Sequence, residues 1–385
     1  VRRAAVAGAG IGGLAAALCL RRAGFAVDVY ERAERIEEVG AGLQMSPNAS
    51  RILVDLGLAD DLARVAVSPS TLEVRRMEDG AVLAAAPLSA LPGRFGAPYW
   101  CLRRADLQRA LLDAAARADI AIHTGSAVRG FGDDGGLRVS RFDADGRRVG
   151  DLAADVVVGA DGIHSALRAD AAGTHRPRFT GYVAWRAMPP AAAAPALFRL
   201  PVVRLWLRPG RHLVQYPVAA GDAVNVIAVA RGPEPKEEDS AAGAPAGFFD
   251  GACEALRALE AAVGRWRIWP LRGMAPAPMA RGALALVGDA AHPILPFLAQ
   301  GAALAIEDAA VLAKTLSDGA DVPAALSRYD AARRPRAERV RAAALANGRR
   351  YHMPWPLSVA RDAAIRALGG EGLLRRYDWL YGWRP

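Results

Sequence analysis

The sequence predicts an α/β chain: a Rossmann-like βα domain, an inserted antiparallel-sheet domain of α+β character, and C-terminal helices. Three observations carry this. The first 31 residues read as strand, glycine turn, helix and strand. Residues 202 to 230 read as three strands separated by Gly-containing turns. The last third reads as helices, one of them long and Arg-rich. At 385 residues the chain is about twice a usual domain, so two modules or one composite fold are expected.

Each element follows from local pattern. Ala4 to Ala7 is a short strand, Ile11 to Arg22 a helix ended by Gly24, and Val27 to Tyr30 a second strand. Ala105 to Ala118 is helical, with Leu107, Leu111 and Leu112 at helical spacing. Asp155 to Val158 is a buried strand. Val202 to Leu207, His212 to Val218 and Val224 to Ala230 form an antiparallel meander turning at Pro209-Gly210 and Ala220-Gly221-Asp222. Gly232 to Gly247 is a polar surface loop with a solvated acidic run. A helix follows at Gly251 to Val263, then a strand at Leu284 to Val287, then helices at Ala302 to Leu316 and Pro323 to Arg350. The division expected is a discontinuous nucleotide-binding domain (1–75, 101–175, 270–345), a substrate-side sheet domain (76–100, 176–269) and a helical tail (346–385).

Composition excludes several classes. Hydrophobic residues make up 52% and charged residues 23%, a globular balance rather than a disordered one. No apolar run is long enough for a membrane span. The net charge is +9, but the arginines are spread along the chain without interleaved aromatics, so no nucleic-acid surface is expected. A positive field does favour anionic substrates. Cys19, Cys101 and Cys253 have neither metal-ligand nor disulfide spacing, and no basic leader opens the chain, so a cytoplasmic protein is expected. HExxH, CxxC, Walker A and GxSxG motifs are absent. Glu37-Glu38 and Asp133-Asp134 read as solvated pairs.

Four motifs fit one cofactor. Gly8-Ala9-Gly10-Ile11-Gly12-Gly13 follows a strand and opens a helix. Gly8 allows the turn, Gly10 lets backbone approach a pyrophosphate, and Gly13 lets helix pack on strand. Glu31 ends the next strand, where a carboxylate accepts from ribose hydroxyls. Arg104, in the second motif, opens a helix and could meet the pyrophosphate. The third motif, Gly159-Ala160-Asp161-Gly162-Ile163-His164-Ser165, turns at a strand's carboxyl end, where α/β sheets place ligands. In the fourth, Gly288-Asp289-Ala290-Ala291-His292-Pro293, Asp289 can accept from a ribitol hydroxyl. Gly301, Ala302 and Ala303 then open a helix whose N–H groups and dipole would stabilise negative charge on a reduced flavin ring.

Together these stretches resemble the single-component FAD-dependent aromatic hydroxylases of the para-hydroxybenzoate hydroxylase-like fold. The resemblance spans nearly the whole chain. Gly40 to Leu53, Gly181 to Met188, Arg211 to Val218 and the run from Leu295 to Ala313 resemble the branch holding salicylate, 3-hydroxybenzoate and 6-hydroxynicotinate hydroxylases. It implies tightly but non-covalently bound FAD, with Val128 among its contacts and Asp161-Gly162 serving FAD and a transient NADH or NADPH. It implies hydroxylation of a small aromatic acid by O2 through a flavin C4a-hydroperoxide, and a possible homodimer. The alternative is a monooxygenase or epoxidase of a larger polyketide or isoprenoid on the same fold. The aromatic tail of the family corresponds to Trp379 to Trp383 here.

A phenol attacks best as phenolate, so a base is needed. His212 and Tyr216 are the candidates. They share one face of a strand, roughly 13 Å apart, and the resemblance places a His and a Tyr at these positions. Pro296 resembles the proline bordering the flavin, and Gln300 could bond substrate or flavin. His292 and His164 read as motif structure. His123, His175 and His352 belong to no constellation. Arg186 could bind a substrate carboxylate or form a structural ion pair. Trp185, Trp206, Tyr216 and Phe297 are expected to crowd the pocket around a small ring.

Overall fold

The computed structural model describes residues 1–36, 42–132, 138–143, 145–173, 175–237, 240–275, 277–319 and 321–385. The readings at Glu37-Glu38, Asp133-Asp134, Gly40 and the end of the acidic run, Glu238-Asp239, lie outside the described residues.

Short apolar strands near the N-terminus build the first layer. Ala4 to Ala7 are all buried, as a strand covered on both faces requires. The strand Arg3–Ala7 lies inside a six-stranded sheet ordered Ala280–Arg281, Leu284–Leu286, Val156–Gly159, Arg3–Ala7, Ala26–Tyr30 and Ala121–His123. All its pairings are parallel except that of the edge strand Ala280–Arg281. The helices Ile11–Arg22 and Gly301–Ser317 pack closely, because a Cβ at Gly12 would lie only 3.1 Å from the Ala305 Cβ. The largest buried cluster runs through this domain.

The meander is part of an eight-stranded sheet ordered Ser240–Ala242, Trp266–Gly273, Arg178–Ala187, Ala223–Arg231, Arg211–Val218, Val202–Arg208, Thr71–Arg76 and Val82–Pro87. It is antiparallel except where Val202–Arg208 meets Thr71–Arg76. Alternation sets its two faces. Val203, Leu205 and Leu207 look into one cavity with His212 and Val214. Trp206 and Leu213 point the other way, into a core with Phe198, Phe248 and Trp266.

The structure moves several expected boundaries. The division at 75/76 falls inside the strand Thr71–Arg76, that at 269/270 inside Trp266–Gly273, and that at 345/346 inside the helix Val322–Tyr351. Pairing to strands distant in sequence, which local pattern does not reveal, extends the two strands past these points, and the helix simply runs on through its own ladder. The Gly232 to Gly247 loop contains a strand, Ser240–Ala242, pairing with Trp266 to Ile268. A small sheet of Ala127–Gly132, Arg138–Phe142 and Arg148–Ala153 adds to the first domain. Among the described residues, no helix is long and apolar enough to cross a membrane.

Candidate active site

A cleft of about 630 Å³ opens at the carboxyl ends of the strands Arg3–Ala7, Val156–Gly159 and Leu284–Leu286, where α/β sheets bind ligands. Gly8, Gly10, Ile11, Gly12, Glu31, Arg104, Val128, Asp161, Gly162, Asp289, Gly301 and Ala302 line it. Gly13 and Ala303 do not. A Cβ at Gly13 would sit 1.9 Å from the Gly8 carbonyl oxygen, so this glycine lets the helix meet the strand. Ala303 is fully buried in the core, because the helix turns it away from the cleft.

The donors and acceptors fit FAD. No side chain caps the first helix at Gly10, and a Cβ there would meet no atom within 4 Å. The first-turn N–H groups therefore face the cleft, ready for a pyrophosphate. Glu31 accepts from the Ala9 N–H at 2.8 Å and the Ala33 N–H at 3.0 Å. Those bonds fix its carboxylate and leave lone pairs for ribose hydroxyls. Asp161 Oδ2 accepts from the Ala166 N–H at 2.7 Å, while its buried Oδ1 has no protein partner. A buried carboxylate oxygen without a donor calls for one from a ligand. Gly301 and Ala302 bring a second helix N-terminus to the same cleft.

Two features that the sequence reading did not single out hold this cleft. Arg168 donates to the carbonyls of Ala290 and Ile163 at 2.8 Å and of Asp289 at 2.7 Å, clasping two cofactor loops together. Its signal was an arginine three residues after the ADGIHS motif. The second feature is a buried ion network. His292 Nε2 lies 2.6 Å from Asp308 Oδ2, and Arg333 donates to Asp308 at 2.7 Å and to Glu307 at 2.8 Å. Arg336 donates to Glu307 at 2.9 Å, and Trp383 stacks on both arginines. Burial alone would raise the Asp308 pKa, but His292 and Arg333 outweigh it and hold the carboxyl below its usual range.

Gln300 joins this network through Asn48, which donates to both Gln300 and Glu307. Its Oε1 accepts from Asn48 at 3.0 Å and its Nε2 donates to Ser46 Oγ at 2.9 Å. It is 2% exposed and lines neither the cleft nor the cavity described next. Its neighbours Ala299 and Gly301 line the cavity and the cleft.

An apolar cavity of about 510 Å³ lies between the large sheet, the segment Pro296 to Ala299 and the C-terminal helices. His212 and Pro296 line it; Tyr216 does not. Tyr216 does share the His212 face, but it is buried among Tyr99, Cys101 and Val218. Burial, then Cys101, pushes its phenol well up. Burial, then His352, pulls His212 well below the usual histidine range. His212 Nδ1 lies 2.7 Å from His352 Nε2, which gives His352 the constellation that sequence had denied it. Of the four bulky residues expected at the pocket, Phe297 lines it, whereas Trp185 and Trp206 pack on the opposite face. Arg186 lies over the Trp269 ring at 4.9 Å and does not line the cavity. His123 meets Asp28, His175 the Ala172 carbonyl, and His164 lines the cleft.

A family model described as an FAD binding domain matches residues 2–344. The 3-amino-4-hydroxybenzoate 2-monooxygenase PtnB3 of Streptomyces platensis is 39% identical, over 99% of this chain and 96% of that protein. The 3-hydroxybenzoate 6-hydroxylase of Polaromonas naphthalenivorans is 32% identical, over 98% and 95%. A crystal structure of the R204Q variant of Klebsiella pneumoniae HpxO complexed with FAD superposes with a TM-score of 0.87 at 28% identity, over 99% of this chain and 98% of that one.

Proposed function

The chain belongs to the FAD-binding aromatic monooxygenase family, and we propose that it uses NADH or NADPH and oxygen to hydroxylate a small hydroxy-aromatic acid. The observation that carries this is His212, a buried imidazole on the wall of an apolar cavity. The segment from Pro296 to Ala302 separates that cavity from the cofactor cleft. Bound FAD, reduced by the nicotinamide nucleotide, supplies activated oxygen.

FAD would be held by Gly10 to Gly12, Glu31, Arg104, Asp161, Asp289 and Gly301 to Ala302, with Val128 as a contact. His212 Nε2 accepts the substrate hydroxyl proton and so raises the electron density of the ring. Leu205, Leu207, Val214 and Phe297 exclude water around it. Arg350, Arg361 and Arg376 are the cavity's cations. Arg361 is engaged by Asp362 and the Tyr351 carbonyl and, among the described residues, Arg350 meets only the neutral Asn347 amide, so Arg350 and Arg376 are the cations to take a carboxylate. Three unpaired cysteines support a reducing, cytoplasmic setting.

The cavity's size favours a second reading. Volumes of 300–1,000 Å³ hold about drug-sized ligands, so a larger substituted aromatic would also fit. The test is NADH and NADPH oxidation by the FAD-loaded protein against aminohydroxybenzoate, hydroxybenzoates, salicylate, hydroxynicotinate and larger phenols, with product masses. Stimulation by a small acid and gain of one oxygen supports the first reading. Stimulation by the larger phenols alone supports the second.

A further inference from the structure

His352 follows the long helix Val322–Tyr351 and stands directly behind His212. The ring centroids are 4.9 Å apart. At 2.7 Å between Nδ1 of one and Nε2 of the other, the two nitrogens share one proton, since two lone pairs or two N–H groups would repel. His212 Nε2 makes no protein hydrogen bond among the described residues and is the nitrogen left to the cavity. His352 Nδ1 is buried without a protein partner, in a residue that is otherwise partly exposed. A buried nitrogen without a protein partner calls for a bound water, and such a water carries the proton on to solvent.

We infer that His212 and His352 form a two-imidazole proton wire, in which His352 orients His212 and takes over the proton that His212 receives from the substrate hydroxyl. This rests on the reading of His212 as the base. At the start each imidazole carries its proton on Nδ1, and His212 donates to His352. The substrate O–H bond breaks, its proton joins His212 Nε2, and the oxygen keeps the electron pair. The His212 Nδ1 proton passes to His352 Nε2, and the His352 Nδ1 proton leaves to solvent. One proton has moved from substrate to solvent, and both rings are again neutral. Reprotonation of the product oxygen by His212 Nε2 runs the sequence backwards and resets the wire.

The surroundings favour passage over storage. His212 is 2% exposed and cannot hand a proton straight to water. Arg231 from the large sheet and Arg361 from the C-terminal helix disfavour charge on His352, which burial and these arginines push down to about 4. The other groups against the pair are the rings of Tyr182, Phe297 and Tyr351. Arg350 lines the same cavity from the long helix.

The experiment compares FAD-loaded wild type, His352→Gln, His352→Ala and His212→Gln, with 3-amino-4-hydroxybenzoate and 3-hydroxybenzoate as probes. Melting temperature and flavin absorbance check folding. Both His352 variants are expected to lower kcat about tenfold, a fraction of the effect of removing a base, with KM within about threefold and an altered pH profile. Added imidazole restores kcat in His352→Ala. In nitrogen-15 spectra of the resting protein, His212 carries its proton on Nδ1, and this preference is lost in His352→Ala. Unchanged kcat and pH profile in both His352 variants, or His212 protonated on Nε2 at rest, overturns the wire. If His212→Gln turns over like wild type, or neither probe stimulates wild type, the base reading itself falls.

Discussion

The cofactor cleft and the apolar cavity lie on either side of one short segment but are made of different material. The cleft is walled by glycine, alanine and backbone N–H groups at strand ends, with carboxylates at Glu31, Asp161 and Asp289. The cavity is walled by side chains from the large sheet, the loop after Leu295 and two C-terminal helices. A backbone site tolerates few residue types, because a Cβ in the wrong place collides. A side-chain site can be rebuilt by many combinations. The chemistry common to a family therefore sits in the first, and the choice of substrate in the second.

That contrast can be broken by experiment. The largest effect is expected from Gly13→Val, whose side chain would drive into the Gly8 carbonyl; soluble, yellow protein should be lost, as read from expression and flavin absorbance. Next comes Arg333→Ala, which removes the cation that two buried carboxylates share and leaves Glu307 to Arg336 and Asp308 to His292. It should cost about 3–5 kcal/mol in a denaturation series. His212→Gln should spare flavin content and stability yet lower kcat about a hundredfold. A variant that loses FAD instead would join the two regions into one. Tyr216→Phe should change kcat by less than about threefold, since Tyr216 does not line the cavity; a loss comparable with His212→Gln would return Tyr216 to the chemistry.

The smallest effect is a pH dependence. Unfolded histidine titrates near about 6.5, whereas His352 in the fold is held down to about 4. Between those values the unfolded chain binds the extra proton, so stability falls as pH drops through that window. His352→Gln should flatten that slope in melting curves taken from pH 7 to pH 4.

The same contrast explains what could be read from sequence. Strand, Gly8 turn and helix succeed one another within a few residues, so periodicity and glycine spacing reveal them. Twelve of the fourteen expected cofactor residues line the cleft, and the two others, Gly13 and Ala303, pack behind it. The cavity depends on pairings such as His212 with His352, 140 positions apart, which no local pattern encodes. Tyr216 has the right strand face, but alternation does not say how far along a strand the cavity extends. Gln300 lies at the expected place in the chain, and a buried network with Ser46 and Asn48 claims it. The sheet boundaries slipped for a related reason: Thr71–Arg76 is held by a parallel neighbour more than a hundred residues away.

The position of the helix Gly301–Ser317 against the first helix sets an order of events during synthesis. Gly10 leaves the ribosome early, but Asp289 and Gly301, which face it across the cleft, follow almost three hundred residues later. At about 5–20 residues per second, the nascent chain waits roughly 15–60 s with its pyrophosphate-binding turn made and its far wall missing. The complete set of flavin contacts therefore exists only once about three quarters of the polypeptide has been made.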